Sequence, residues 1–222
     1  MSTTPQAATR PDTNEMKVIH RVFRREFTAL PALVRGVRDG DTARSAVVGA
    51  HLQQMLWFLR IHHEGEDELL WPLLLDRVTL QADLVHRMEG QHQVVAALIE
   101  QATALLPEWT ATASAASGEP LAALLGELTA PLFEHLGEEE QHILPLAADH
   151  LSVAEWAALG EHGRSHLATP QDQVRVLGAI LEDATPDERA HMLAPMPPPA
   201  RDAWTTQGAP AYAAYIAQVR QG

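Results

Sequence analysis

The sequence predicts an all-α fold, an up-down-up-down four-helix bundle with a C-terminal helical extension, on three observations. Apolar residues recur at alternating spacings of four and three along four segments, the pattern of helices that each bury one face. The segments repeat in pairs. HHEGEDELLWPLL, His62 to Leu74, aligns with HLGEEEQHILPLA about 73 positions later, superposing His62 on His135, Glu66 on Glu139, Asp67 on Glu140 and Pro72 on Pro145. MKVIH and MEGQH align likewise at a shift of about 72, placing Met16 on Met88 and His20 on His92. Finally, the connections between segments are short, which makes successive helices antiparallel neighbours.

The first helix follows a polar arm, residues 1–11, with Asp12 as its cap and Glu15 three positions on. Its seam reads Met16, His20, Phe23, Phe27, Leu30 and Val34, and Gly36 and Gly40 mark its end. The second helix starts near Asp41 and carries Val48, Leu52, Met55, Leu59, His62, Glu66, Leu69 and Leu73. Pro72 disfavours helical geometry at Trp71, so a break or kink is expected there. From about Gln81 the third helix reads Val85, Met88, His92, Val95, Ile99, Ala102 and Leu106 until Pro107 disturbs it, and a loop around Ser117 to Pro120 follows. The fourth reads Leu121, Leu125, Leu128, Leu132, His135, Glu139 and Ile143, ending at Pro145.

The bundle thus occupies residues 12–148. Residues 149–222 are of different character, with capping boxes at Ser152/Glu155 and Thr185/Glu188, a helical run from Pro170 to Asp183, and the turn MPPPARDAW. High apolar content and short connections read as an extension packed on the bundle. It leaves the fourth helix beside the histidines and carboxylates, a position suited to a lid, with a dimer contact or a cap on apolar surface as the alternatives.

Composition excludes several functions. The 16 basic against 29 acidic residues, net −13, leave no basic stripe for a nucleic acid or an anionic membrane. No apolar run is long enough to span a bilayer and no signal-peptide core opens the chain, so the cytoplasm is the expected location. Without cysteine, any metal must sit on nitrogen and oxygen, and 12 histidines supply the nitrogen.

His20, His62, Glu66, His92, His135 and Glu139 all fall on core-facing seams. His20 lies ~18 residues before the end of the first helix and His62 ~20 after the start of the second, both about 27–30 Å along at 1.5 Å per residue, so the two meet at one level. A carboxylate in an apolar seam must be neutralised by a partner, a proton or a metal, and no seam arginine is available. Four imidazoles and two carboxylates exceed the needs of one tetrahedral zinc. Two metal ions fit, with Glu66 and Glu139 bridging, two histidines on each, and room for a hydroxide or oxide bridge. His63, Glu64, Asp67, Glu68, Glu138 and Glu140 lie beside the seams and read as solvated face or as partners of the ligand imidazoles. His51 and His142 lie on seam faces a few turns away, and His162 with His166 reads as a surface pair.

In these residues the sequence resembles the hemerythrin-like, HHE cation-binding family, over about residues 12 to 148. The family pattern is a histidine on the first helix, HxxxE followed by an acid and a proline on the second, a histidine on the third, and a histidine with an acid on the fourth. The resemblance implies a hemerythrin-like four-helix bundle with two iron ions (Fe2+/Fe3+) on His20, His62, Glu66, His92, His135 and Glu139, reacting with dioxygen, peroxide or nitric oxide in sensing, detoxification or iron homeostasis. Oxygen-carrying members place HxxxH on the third helix, where this chain has Met88 before His92, and an aspartate five after the last histidine, where it has Glu139 at four and Glu140 at five. That set is more like members used in sensing or oxidation. Two alternatives stand beside this reading: a di-iron oxidase or oxygenase acting on a small organic molecule, and a zinc-stabilised interaction module without redox chemistry.

Overall fold

The structure is a computed structural model that describes residues 10–221, so residues 1–9 of the polar arm lie outside it. All regular structure among the described residues is helical. Four long helices dominate: α1 (Asn14–Arg35), α2 (Thr42–Gly65), α4 (Ala82–Thr112) and α5 (Ala115–Glu138), with α3 (Trp71–Arg77) continuing α2 and α6 (Leu144–His150) continuing α5. α1 packs on α2 and α5, and α4 packs on the same two, closing a ring of four. The apolar seam residues of α1, α4 and α5 are all buried, as helices with one apolar stripe require.

The junctions differ in detail from the sequence reading. Thr13, not Asp12, is the N-cap of α1, and Asp12 instead accepts hydrogen bonds from the Asn14 backbone and side chain. Asp41 does cap α2 by accepting from the Arg44 N–H. α4 runs through Pro107 to Thr112, because a single lost N–H is outweighed by burying Leu106 and Trp109 in the core. The loop expected near Ser117 to Pro120 belongs to α5. Ser114 caps that helix through the Ser117 N–H, and the reversal is confined to Ala113, whose φ of 50° is left-handed.

The kink expected before Pro72 is a π-helical turn, Glu66–Leu70, in which the Trp71 N–H reaches back five residues to the Glu66 carbonyl. The fourth segment repeats the device at Glu139–Ile143, with the Leu144 N–H on the Glu139 carbonyl. Both turns end two residues before a proline, where the wider turn accommodates a ring that would collide with an α-helical carbonyl. One extra residue in the turn rotates everything beyond it. Leu70 and Leu74 are fully buried, whereas the expected Leu69 and Leu73 are half-buried.

Beyond the ring lie α7 (Val153–Ser165), α8 (Pro170–Glu182), α9 (Pro186–Leu193), α10 (Pro198–Ala203) and α11 (Ala209–Arg220). Capping boxes at Ser152/Glu155, Thr169/Asp172 and Thr185/Glu188 start the first three. α7 packs on α2 and on the π turn after it, while α8 and α9 pack on α1 and α11 packs on α2. Gly178 permits the close approach of α11, since a Cβ there would lie 2.1 Å from the Tyr212 ring. Val176, Leu181, Tyr212, Ile216 and Val219 join the main core of the bundle, so most of the extension is structural flank rather than lid. A buried polar chain ties it down: Glu26 of α1 meets His51 of α2 at 3.0 Å, and His51 meets the Tyr215 hydroxyl of α11 at 2.9 Å.

Two apolar clusters result. The larger contains Phe23, Phe27, Leu52, Leu59, Leu125 and Leu132, and the smaller contains Leu70, Trp71, Met88, Leu144 and Trp156. His20, His62, His92 and His135, one from each of the four long helices, lie near the boundary of the two clusters, in the layer that the two π turns flank.

Candidate metal centre

All six side chains singled out from the sequence come together. His20 Nε2 lies 3.1 Å from Glu139 Oε2, and His135 Nε2 lies 3.8 Å from the same oxygen. Glu66 faces both sides, with Oε1 3.3 Å from His62 Nε2 and Oε2 3.4 Å from His92 Nε2. His92 and His135 bring their Nε2 atoms within 3.1 Å. Two overlapping groups emerge whose ligand atoms lie within 4.8 Å of one another: His20, His62, Glu66 and Glu139, and His63, Glu66, His92 and His135. Glu66 belongs to both.

Most of these atoms lack hydrogen bonds, His92 Nε2 and His135 Nε2 meeting one another. His20 Nε2, His62 Nε2, His63 Nε2 and all four oxygens of Glu66 and Glu139 are buried without a hydrogen-bond partner. Each such atom left alone costs on the order of 1–3 kcal/mol, and a cluster of them on one point is unusual in a folded protein. Imidazole nitrogen and carboxylate oxygen are the donors that divalent cations take, so the residues fit a metal.

The outward ring nitrogens are held. His20 Nδ1 is 2.9 Å from Glu140 Oε1, His92 Nδ1 is 2.7 Å from Asp67 Oδ1 and His135 Nδ1 is 3.2 Å from Gln91 Oε1. Each partner is an acceptor, so each Nδ1 carries a proton, and in the neutral ring, the form that binds a cation, the Nε2 lone pair faces inward. Glu140 also accepts from Arg24, Asp67 from the Trp71 indole, and Gln91 donates to Glu138. Acids beside the seam therefore orient the imidazoles, and Glu139, four after His135, is the one turned inward.

Among themselves these groups shift strongly. Burial pushes the His20 and His92 imidazoliums down, but Glu139 beside His20, and Asp67 with Glu66 beside His92, outweigh it and hold both up to about 9. His62 and His63 are pushed well below the usual range by burial and by neighbouring imidazoles, and His135 falls to about 3, mainly through burial. Burial and then the charge of Glu139 raise the Glu66 carboxyl. Burial acts on Glu139 in the same sense, but the His20 charge and contact outweigh it and keep that carboxyl low.

The structure also departs from the sequence reading. His63 is only 5% exposed, stacks on His92 with ring centroids 4.0 Å apart, and stands in the second group. Its signal was α2 itself, apolar almost all round from Val47 to Ile61, which marks a helix covered on most sides. His51 belongs to the Glu26 and Tyr215 chain and not to the cluster, and His142 is exposed. His162 and His166 do pair, with centroids 4.6 Å apart, yet His162 is half-buried against Gly65 rather than free on the surface.

Fold and side chains together define a helical protein with a buried imidazole–carboxylate cluster suited to cations. The chain belongs to the hemerythrin family, described as the hemerythrin HHE cation binding domain, whose family model matches residues 12–147. Neither the curated proteins nor the solved structures gave a match. No helix among the described residues is long and apolar enough to cross a membrane.

Proposed function

We propose that the cluster holds two iron ions and that the protein binds or reacts with dioxygen, peroxide or nitric oxide, in sensing, detoxification or iron homeostasis. The observation that carries this reading is the position of Glu66, which turns one oxygen toward each of two ligand groups. His20 and His62 would serve one ion, His92 and His135 the other, with Glu66 and Glu139 between them and His63 completing the second group. The ring of contacts among α1, α2, α4 and α5, joined by short connections, supports the up-down-up-down order that brings these ligands to one level.

Iron, when bound, supplies one-electron redox changes and coordination positions open to small ligands. The chain supplies the rest. Glu140, Asp67 and Gln91 fix the imidazole tautomers, which directs three Nε2 atoms inward and raises their basicity. The two buried carboxylates neutralise positive charge in a layer that apolar clusters shield from bulk water above and below. The adjoining groove is lined by charged side chains rather than the apolar and aromatic wall typical of a small-molecule pocket, which gives less support to an oxidase of organic compounds.

Loading the chelator-treated protein with ferrous iron under nitrogen and admitting oxygen, peroxide or nitric oxide in turn tests the proposal. New near-ultraviolet absorption is expected with at least one of them, and zinc-loaded protein should remain silent. Iron-loaded protein that responds to none would favour the zinc-stabilised, non-redox reading.

A further inference from the structure

A groove of about 520 Å³ lies between α2 and α4, and its floor is formed by His63 and His92. Glu64 and Asp67 line one side, and Glu89 and Glu100 the other. The α4 positions 89, 93, 96 and 100 stand one above another at helical spacing, so this arrangement follows from the sequence of two adjacent helices. Arg60, the one arginine or lysine in the lining, is already drawn to Glu64 at 3.5 Å. Acidic side chains outnumber basic ones along the groove.

Acidic grooves are common, and a separate feature marks this one. His63 is 95% buried by exposure of 5%, its Nε2 has no hydrogen-bond partner, and the ring both lines the groove and belongs to the inner ligand group. Asp67 lies at the same boundary. Its Oδ1 receives both the His92 ring and the Trp71 indole, and the side chain is 48% exposed. Oxygen and nitrogen donors thus line the groove, from Glu64, Glu89 and Glu100 to Asp67, His63 and His92, and His63 and His92 share a ligand group with Glu66.

We propose that this groove is the path by which hydrated divalent cations reach the cluster, an inference that rests on reading the cluster as a metal centre. Rim carboxylates raise the local cation concentration by focusing the field in a low-dielectric cleft. Asp67 and His63 then offer replacement ligands as water is shed, and His63 hands the ion to the group that includes Glu66, His92 and His135. No redox step is involved.

The test follows cobalt(II) uptake by chelator-treated full-length protein, mixed rapidly at several ionic strengths. Neutralising the rim with Glu64→Gln, Glu89→Gln and Glu100→Gln should slow uptake about tenfold or more and flatten its salt dependence, while the final metal count stays at the wild-type value. Neutralising the same number of exposed acids elsewhere, with Glu108→Gln, Glu127→Gln and Asp202→Asn, should leave the rate within about twofold of wild type. Ala96→Arg, which puts a cation and bulk into the groove wall, should slow uptake as well. Wild-type rates and salt dependence in the rim variant overturn the path while leaving the metal centre intact. Failure of the unmodified protein to take up any cation overturns both readings.

Discussion

Replacing Glu66 by glutamine keeps the shape of the side chain and removes its charge, and its effect on stability should change sign with metal. Burial and the nearby Glu139 push the Glu66 carboxyl from 4.5 up to about 8. Between those values the folded chain binds more protons than the unfolded one, so the wild type loses stability as pH rises through the window. At pH 7 the penalty is on the order of 3 kcal/mol, at 1.36 kcal/mol per pKa unit, and glutamine does not carry it. Chelator-treated Glu66→Gln should therefore melt about 6–12 °C above the chelator-treated wild type at pH 7, taking about 2–4 °C per kcal/mol for a chain of this size. The gain should shrink toward zero near pH 5. With metal bound the order reverses, because the carboxylate that burdens the metal-free core is the one facing both ligand groups. Thermal unfolding of the two proteins at pH 5, 6, 7 and 8, with and without metal, measures all of this. An equal loss of stability in both forms at every pH would show Glu66 to be an ordinary structural hydrogen-bonder.

Glu26 should give the opposite pH signature: burial alone would raise it, but His51 and Arg25 hold it at about 2, so its contribution is present above 4.5 and fades as pH falls toward 2. Urea midpoints of wild type should fall across that range by more than those of Glu26→Gln, a difference on the order of 3 kcal/mol when complete; parallel curves would count against the Glu26–His51 pair as a charge interaction. Glu140→Gln leaves a neutral acceptor on His20 Nδ1 and should weaken cation affinity about 10–100-fold at unchanged stoichiometry, measured by competition with a chelator; unchanged affinity would mean the imidazole needs no such partner. Truncation after Ser152 removes Val176, Leu181, Tyr212, Ile216 and Val219 and exposes the core partners they covered, at about 1.5–3 kcal/mol per side chain laid bare. That sum rivals the whole stability of a typical domain, so the fragment should lose its cooperative melt by circular dichroism, and a sharp melt at the full-length temperature would refute the structural role assigned to the extension.

The seams were legible because α1, α4 and α5 each bury a stripe and α2 buries its seam along with most of its other faces, and Phe23, Leu52, Val95 and Leu128 lie where their spacing placed them. So was the convergence of His20, His62, Glu66, His92, His135 and Glu139, since an internal repeat brings equivalent positions to equivalent levels. Local reasoning failed where a third element decides the outcome. His63 stands off the seam of α2, but α4 faces it and the extension covers the other flank, so a position that reads as solvated is enclosed. Leu69 and Leu73 were displaced by a π turn, and Pro72 announced a disturbance without saying that it would add one residue to the turn. The Glu26–His51–Tyr215 chain joins positions from three helices, one of them near the far end of the sequence, and no local pattern links them. Glu139 and Glu140 are adjacent and chemically equivalent, so only the packed structure separates the one turned inward from the one on His20 Nδ1.

The central claim is that one buried layer holds two cations sharing Glu66. Equilibrium dialysis of the chelator-treated protein against ferrous iron under nitrogen, followed by metal and protein analysis, tests it directly. Two ions per chain are expected in the wild type, with most of both lost in the double variant His62→Ala, His135→Ala. A single ion per chain, or a double variant that retains the full complement, would contradict the account.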